Sequence, residues 1–111
     1  AGELKHGPLA LIENNIPVIV LAPFDENYSK LLSNIQEVKA RGGRIIMITD
    51  RDGAKKVKKY CDQIVIIPKT NFLTSPILYS IPVQLIAYYL AVFLGTDVDQ
   101  PRNLAKSVTV E

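Results

Sequence analysis

Ile16–Leu21, IPVIVL, and Arg44–Thr49, RIIMIT, are two short apolar runs rich in β-branched residues, and what lies between them decides the fold. Neither run alternates apolar with polar residues, the pattern of a strand whose two faces are both covered. Between them Leu31, Leu32, Ile35 and Val38 recur at helical spacing over about Glu26–Ala40. Asp25 or Asn27 stands ready to cap that helix and Gly42-Gly43 to stop it. Beyond the second run, Asp50 begins a turn, and Gly53–Tyr60 reads as a short basic helix with Val57 inward. Ile64–Ile67 is a third strand closed by Pro68, and Thr70–Thr74 form a loop. Pro76 fits the first turn of a long apolar helix, Ile77–Leu94, which Gly95 stops. Pro82 inside it removes one backbone hydrogen bond, and a bend is expected near Leu78–Ser80. Upstream, Gly2–Ile12 reads as a loop with a short helix begun at Pro8.

Strand and helix thus alternate three times, the order of right-handed crossovers on a parallel sheet in an α/β, three-layer αβα domain. Three strands are few for this class. The helix Ile77–Leu94 is apolar on too many sides for one small sheet, so it needs another surface. The chain therefore reads as the C-terminal half of a larger domain, an expectation that the missing initiator Met also favours.

Composition narrows the classes. At 111 residues, 48% hydrophobic and 22% charged, the chain is one ordinary globular unit. Its 13 basic residues nearly balance 11 acidic ones, which offers no electrostatic case for nucleic acid. Cys61 stands alone, so an internal disulfide and a Cys-rich metal motif are both excluded, and a reducing compartment suits it. If Pro76, Pro82 and Gly95 break the apolar stretch, no run approaches the length of a membrane helix. AGELKHG is not a charged-then-apolar secretion signal.

Candidate chemistry sits at the two ends. His6, the only histidine, lies in Lys5-His6-Gly7 and can move a proton in either direction near neutrality; a surface-loop histidine is the plain alternative. The C-terminal stretch PRNLAKSVTVE sets apolar Leu104, Val108 and Val110 among Arg102, Asn103, Lys106, Ser107 and Thr109, a pattern suited to a tail laid over a site. Lys106 could hold an anion, donate a proton or serve as an amine, or be an ordinary tail lysine. Arg102 could instead pair with Asp97 or Asp99.

Thr49–Asp52 follows a strand's carboxyl end, where open α/β sheets place ligands, though a tight turn with a helix cap is the preferred reading. Tyr79, Ser80, Tyr88 and Tyr89 suit either a partner or the core. Lys55, Lys56, Lys58 and Lys59 read as a solvated face, and Cys61 as a small hydrophobe. Gly42-Gly43 ends a helix before a strand, the reverse of a dinucleotide loop.

GELKHGPLALI at one end and GTDVDQPRNLAKSVTVE at the other resemble the glutamine–fructose-6-phosphate aminotransferase (isomerizing) family. The resemblance runs through ILYSIPVQLIAYYLAVFLG between them and corresponds to the last part of the second sugar isomerase (SIS) domain. It implies a flavodoxin-like SIS fold over residues 1–111, with 96–111 as a tail over the sugar site. In that family a glutaminase domain releases ammonia, and paired SIS domains use it to convert fructose 6-phosphate to glucosamine 6-phosphate for amino-sugar biosynthesis.

The resemblance implies no cofactor and no metal. It implies a cytoplasmic homo-oligomer, a dimer with the site shared across the interface, bound to neither nucleic acid nor membrane. His6 matches the family's ring-opening histidine, supplied across the subunit interface, with Lys5 at or near the site. Lys106 matches the lysine near the reacting carbons, Ala105 approaches the sugar through its backbone, and Arg102 and Asn103 position the tail. The family's phosphate-binding loops, its isomerisation glutamate and its glutaminase cysteine are absent here, so the chain alone is expected to be inactive. The alternatives are a non-catalytic SIS module sensing sugar phosphates, a related amino-sugar-phosphate isomerase or deglycosylase without glutaminase, and a scaffold dimerising through Ile77–Leu94.

Overall fold

Three parallel strands, β1 (Pro17–Ala22), β2 (Arg44–Thr49) and β3 (Gln63–Ile66), lie side by side in the order β1-β2-β3. The computed structural model describes residues 2–100. In register, Val18, Val20 and Ala22 stand beside Ile45, Met47 and Thr49, and Met47 and Thr49 beside Ile64 and Ile66. Side chains alternate along a strand, so these residues share one face. Helices α1 (Tyr28–Ala40) and α2 (Arg51–Val57) both cover that face, each the crossover between successive parallel strands. Ile35 and Val38 of α1 and Val57 of α2 join Ala22, Ile45 and Met47 in the buried core. The opposite face carries Ile19, Leu21, Ile46, Ile48 and Val65.

The chain divides into two units, residues 1–75 and 76–111. The sheet, α1, α2 and two 3₁₀ helices at the start, Gly2–His6 and Pro8–Leu11, belong to the first. The second contains nearly all of α3 (Ser75–Phe93).

Local chemistry explains the boundaries. α1 starts at Tyr28, two residues after the expected Glu26, because Asp25 Oδ1 takes the Asn27 amide (2.8 Å) in a turn before the helix. Gly42, at φ +81, stops it. α2 begins at Arg51 and not at Gly53, because Asp50 is its N-cap.

α3 runs unbroken through Pro82, since a proline inside a helix deletes one rung and leaves the others in place. The resulting 19-residue helix, with a mean hydropathy of 1.6 over an 18-residue stretch, is long and apolar enough to cross a membrane by length and composition, contrary to the argument from proline breaks. Ile77, Leu85, Tyr89 and Phe93 are exposed within this chain, as expected of a helix that needs a further surface.

A staple at the amino end of the sheet supplies a pH test. Lys39 Nζ donates to both oxygens of Asp62 (2.9 and 2.7 Å), and the Ile45 amide donates to Asp62 Oδ2 (2.7 Å). The Lys39 hydrogen bonds first, then the Ile45 amide, hold the Asp62 carboxyl below its ordinary 3.8. The folded chain thus binds this proton less readily than the unfolded one. The staple's contribution is complete above about pH 4 and is lost as the pH falls through the lowered folded value. Asp62→Asn should therefore shrink the loss of stability between neutral pH and pH 3, read from denaturant midpoints. An unchanged acid-side loss would show that the staple contributes nothing.

Candidate functional site

Two places were open to chemistry within the described residues: the carboxyl ends of β1 and β2, and the segment around His6. The first is closed by its own hydrogen bonds. Asp50, 5% exposed, accepts the Asp52 and Gly53 amides on Oδ1 (2.9 and 3.0 Å) and the Phe24 amide on Oδ2 (3.1 Å). Thr49 Oγ donates to the Ala22 carbonyl (2.6 Å), and the Tyr28 hydroxyl to the Gly53 carbonyl (2.7 Å). A methyl group on Gly53 would overlap Thr49 Oγ and meet Tyr28 Cε2 at 3.2 Å, so only glycine lets α2 start this close to the strand. Of the two readings of Thr49–Asp52, the structure shows the turn and cap. Asp50 ties the loop after β1 to the start of α2.

Beside this corner, Arg51, Asp52, Lys55 and Lys69 line a polar recess. Asp52 pairs there with Lys55 and Lys69, each at 3.3 Å, and both lysines hold its carboxyl below the usual range. Cys61 Sγ lies 3.9 Å from Met47 Sδ, and burial pushes its thiol pKa up, as for an unreactive core cysteine. No group of three or more potential metal-binding side chains forms among the described residues.

The segment around His6 is built differently. Leu4 packs against the core, and Lys5 Nζ reaches Glu37 Oε1 of α1 at 3.0 Å. These contacts fix the first 3₁₀ helix to the body of the fold. His6 points outward, 70% exposed, with Nδ1 2.9 Å from Glu3 Oε2. Gly7 follows at φ 155, ψ −59, a conformation side-chain-bearing residues rarely adopt, and turns the chain into the second 3₁₀ helix. Its use is thus backbone geometry beside the histidine.

The sequence did not single out Glu3 or Glu37. The spacing of Glu3 and His6 was a usable signal once a 3₁₀ turn was assumed, whereas the pairing of Lys5 with Glu37 depends on tertiary structure. At the other end, Gly95 (φ 68) closes α3, and Thr96 returns its amide and hydroxyl to the Ala91 carbonyl, each at 3.0 Å. Asp97 Oδ1 then accepts the Asp99 and Gln100 amides (2.8 and 3.1 Å), setting the direction in which the chain leaves the helix. Arg102, Asn103, Ala105 and Lys106 lie outside the described residues.

A parallel sheet with crossover helices between successive strands defines the class, an α/β domain. The SIS domain profile matches residues 1–94, and the chain belongs to that family. α3 lies within the matched region, and the fold is of the three-layer α/β class.

The glutamine–fructose-6-phosphate aminotransferases [isomerizing] of Mesorhizobium japonicum and Rhizobium meliloti are each 60% identical to it over 111 residues, all of this chain and 18% of theirs. That of Gluconobacter oxydans is 58% identical over the same span. The C-terminal domain of glucosamine-fructose-6-phosphate aminotransferase from Francisella tularensis superposes with a TM-score of 0.82 at 42% identity, covering 89% of this chain and 28% of that one. The chain spans less than a fifth of the length of these curated relatives.

Proposed function

We propose that this chain is the C-terminal portion of a glutamine–fructose-6-phosphate aminotransferase. Its task there is to help convert fructose 6-phosphate and glutamine-derived ammonia to glucosamine 6-phosphate. The observation that carries the reading is 60% identity along the entire chain, both ends included, to relatives bearing that name. A structure at 42% identity with the same fold supports it. Upstream parts of the longer polypeptide would supply the glutaminase site, the phosphate-binding loops and the isomerisation base. A phosphorylated substrate, which does not cross membranes unaided, fits a cytoplasmic reaction.

Each named residue then has a physical task. Opening the fructose ring requires a proton to leave the anomeric hydroxyl and another to reach the ring oxygen. His6 is the one side chain here that can exchange protons both ways near neutrality, and its outward position suits a partner surface. Ammonia adds to the freed carbonyl and water leaves, giving an imine. The upstream base then takes a proton from the neighbouring carbon, and a proton returns at the nitrogen-bearing carbon. The negative charge that builds between these steps is what a nearby ammonium, Lys106, would stabilise. Lys5, held by Glu37, would fix the position of the neighbouring His6 at the rim of the site. The Ala105 backbone would meet the sugar, and Arg102 and Asn103 would hold the tail that covers it. Closure would exclude water while the open-chain intermediate is exposed. The site would be completed by pairing of subunits in a homodimer, with His6 entering across the interface.

The direct test is the full-length protein supplied with glutamine and fructose 6-phosphate. Equal amounts of glutamate and glucosamine 6-phosphate are expected, and no amino sugar would overturn the reading. Truncation before Lys106 in that protein should lower kcat at least about tenfold, the loss of a transition-state donor. It should also weaken retention of the sugar, followed by calorimetry. Unchanged values for both would remove the tail from the site.

A further inference from the structure

The first 3₁₀ helix, Gly2–His6, has two sides with different tasks. One side is anchored: Leu4 packs against the core, and Lys5 Nζ is bound to Glu37 of α1 at 3.0 Å. The other carries Glu3 and His6. In a 3₁₀ helix, with about three residues per turn, side chains three apart stand directly over each other. Glu3 and His6 are so aligned, and Nδ1 of the imidazole meets the Glu3 carboxylate at 2.9 Å. A carboxylate only accepts, so the hydrogen on this bond belongs to Nδ1. In the neutral ring Nε2 is then left with the free lone pair.

We propose that Glu3 is the positioning residue for His6, holding the ring in the tautomer whose Nε2 exchanges protons with the sugar. This deepens the proposed function and rests on it for the identity of the reaction. Glu3 does not touch the substrate. It fixes the ring's orientation, keeps Nε2 as the acceptor, and steadies the imidazolium formed when Nε2 takes the proton from the anomeric hydroxyl. Deprotonation of the same nitrogen then returns a proton to the ring oxygen, so the imidazole ends as it began. Glu3 suits this task because neither lysine nor the other acid on the anchored side competes for it: Lys5 is already paired with Glu37. Among the described residues the imidazole's charged partner is Glu3, while Lys5 and Glu37 are paired with each other.

The test is a double-mutant cycle in the full-length enzyme with fructose 6-phosphate, joined to nitrogen NMR of labelled histidines, which reads the ring tautomer. Glu3→Ala should lower kcat/KM on the order of 5-fold, the scale of an exposed charged hydrogen bond. In a His6→Ala background the same change should have no further effect. Glu3→Asp should recover part of the loss, and the loss in Glu3→Ala should fall on kcat and leave KM unchanged, because Glu3 acts on the ring and not on sugar binding. An equal loss with and without His6 would overturn the proposal by placing Glu3's effect elsewhere. Should His6→Ala retain full isomerisation, the catalytic assignment of His6 fails, and the ring-nitrogen shifts alone decide the pairing. His6 shifts, identified by their loss in His6→Ala, that report the Nδ1–H form in the unaltered enzyme and a mixture of tautomers in Glu3→Ala support it, and shifts unmoved by Glu3→Ala overturn it.

Discussion

Replacing His6 by alanine in the full-length enzyme should lower isomerisation of fructose 6-phosphate by roughly 100-fold or more, the usual worth of a proton-transfer group. The effect should fall on turnover. The His6 side chain is 70% exposed and bonded to Glu3 alone among the described groups, so its loss removes no core contact and should leave the melting temperature unchanged. Sugar binding should also survive, because a phosphate would be held by loops outside this chain. Turnover above half of wild type would remove His6 from the chemistry. A fall in melting temperature parallel to the lost activity would make the residue structural.

Asp50→Ala should have the largest effect on stability. The carboxylate satisfies the Asp52, Gly53 and Phe24 amides while 5% exposed, and alanine leaves all three without it. Loss of a helix cap costs about 1 kcal/mol. An orphaned, part-buried Phe24 amide adds a further 1–3 kcal/mol or so, making about 2–4 kcal/mol in all. Asp50→Asn separates the two contributions. Its remaining oxygen can accept from Asp52 and Gly53, but its NH₂ cannot accept from Phe24. About half the loss should therefore return, measured by denaturant unfolding with tryptophan-independent circular dichroism. A loss below about 1 kcal/mol would mean that water replaces the carboxylate at no cost.

The pattern that located β2 at Arg44–Thr49 is local and strong: an apolar β-branched run after a double glycine. β1 was expected at Ile16–Leu21 and lies one residue later, because its register is set by pairing with β2 and not by where the apolar run begins. β3 at Gln63–Ile66 is displaced by one residue the other way for the same reason. The start of α2 was misread because Gly53 resembles a turn residue, whereas its lack of a side chain serves a close approach to Thr49 and Tyr28.

The site was legible to a different degree. His6 stood out as the lone histidine in a Lys-His-Gly motif, with a surface-loop histidine as the plain alternative until the family resemblance gave it a role. Its partner Glu3 required knowledge that the turn is 3₁₀, and the anchoring of Lys5 by Glu37 required the tertiary fold. Thr49–Asp52 occupied the position where α/β sheets bind ligands, yet its polar groups are spent on backbone amides and carbonyls. Position in the fold therefore ranked this site wrongly, and hydrogen-bond accounting ranks it correctly.

The most direct test of one sugar site built from two subunits is complementation between impaired variants. Full-length His6→Ala and Lys106→Ala chains, each strongly impaired alone, would be co-expressed in equal amounts. If His6 crosses the interface into a site whose Lys106 belongs to the other chain, half the dimers are mixed and each holds one intact site. Activity should then return to about a quarter of wild type. Mixed dimers without activity would contradict the account, placing His6 and Lys106 in the same subunit's site or His6 outside the site altogether.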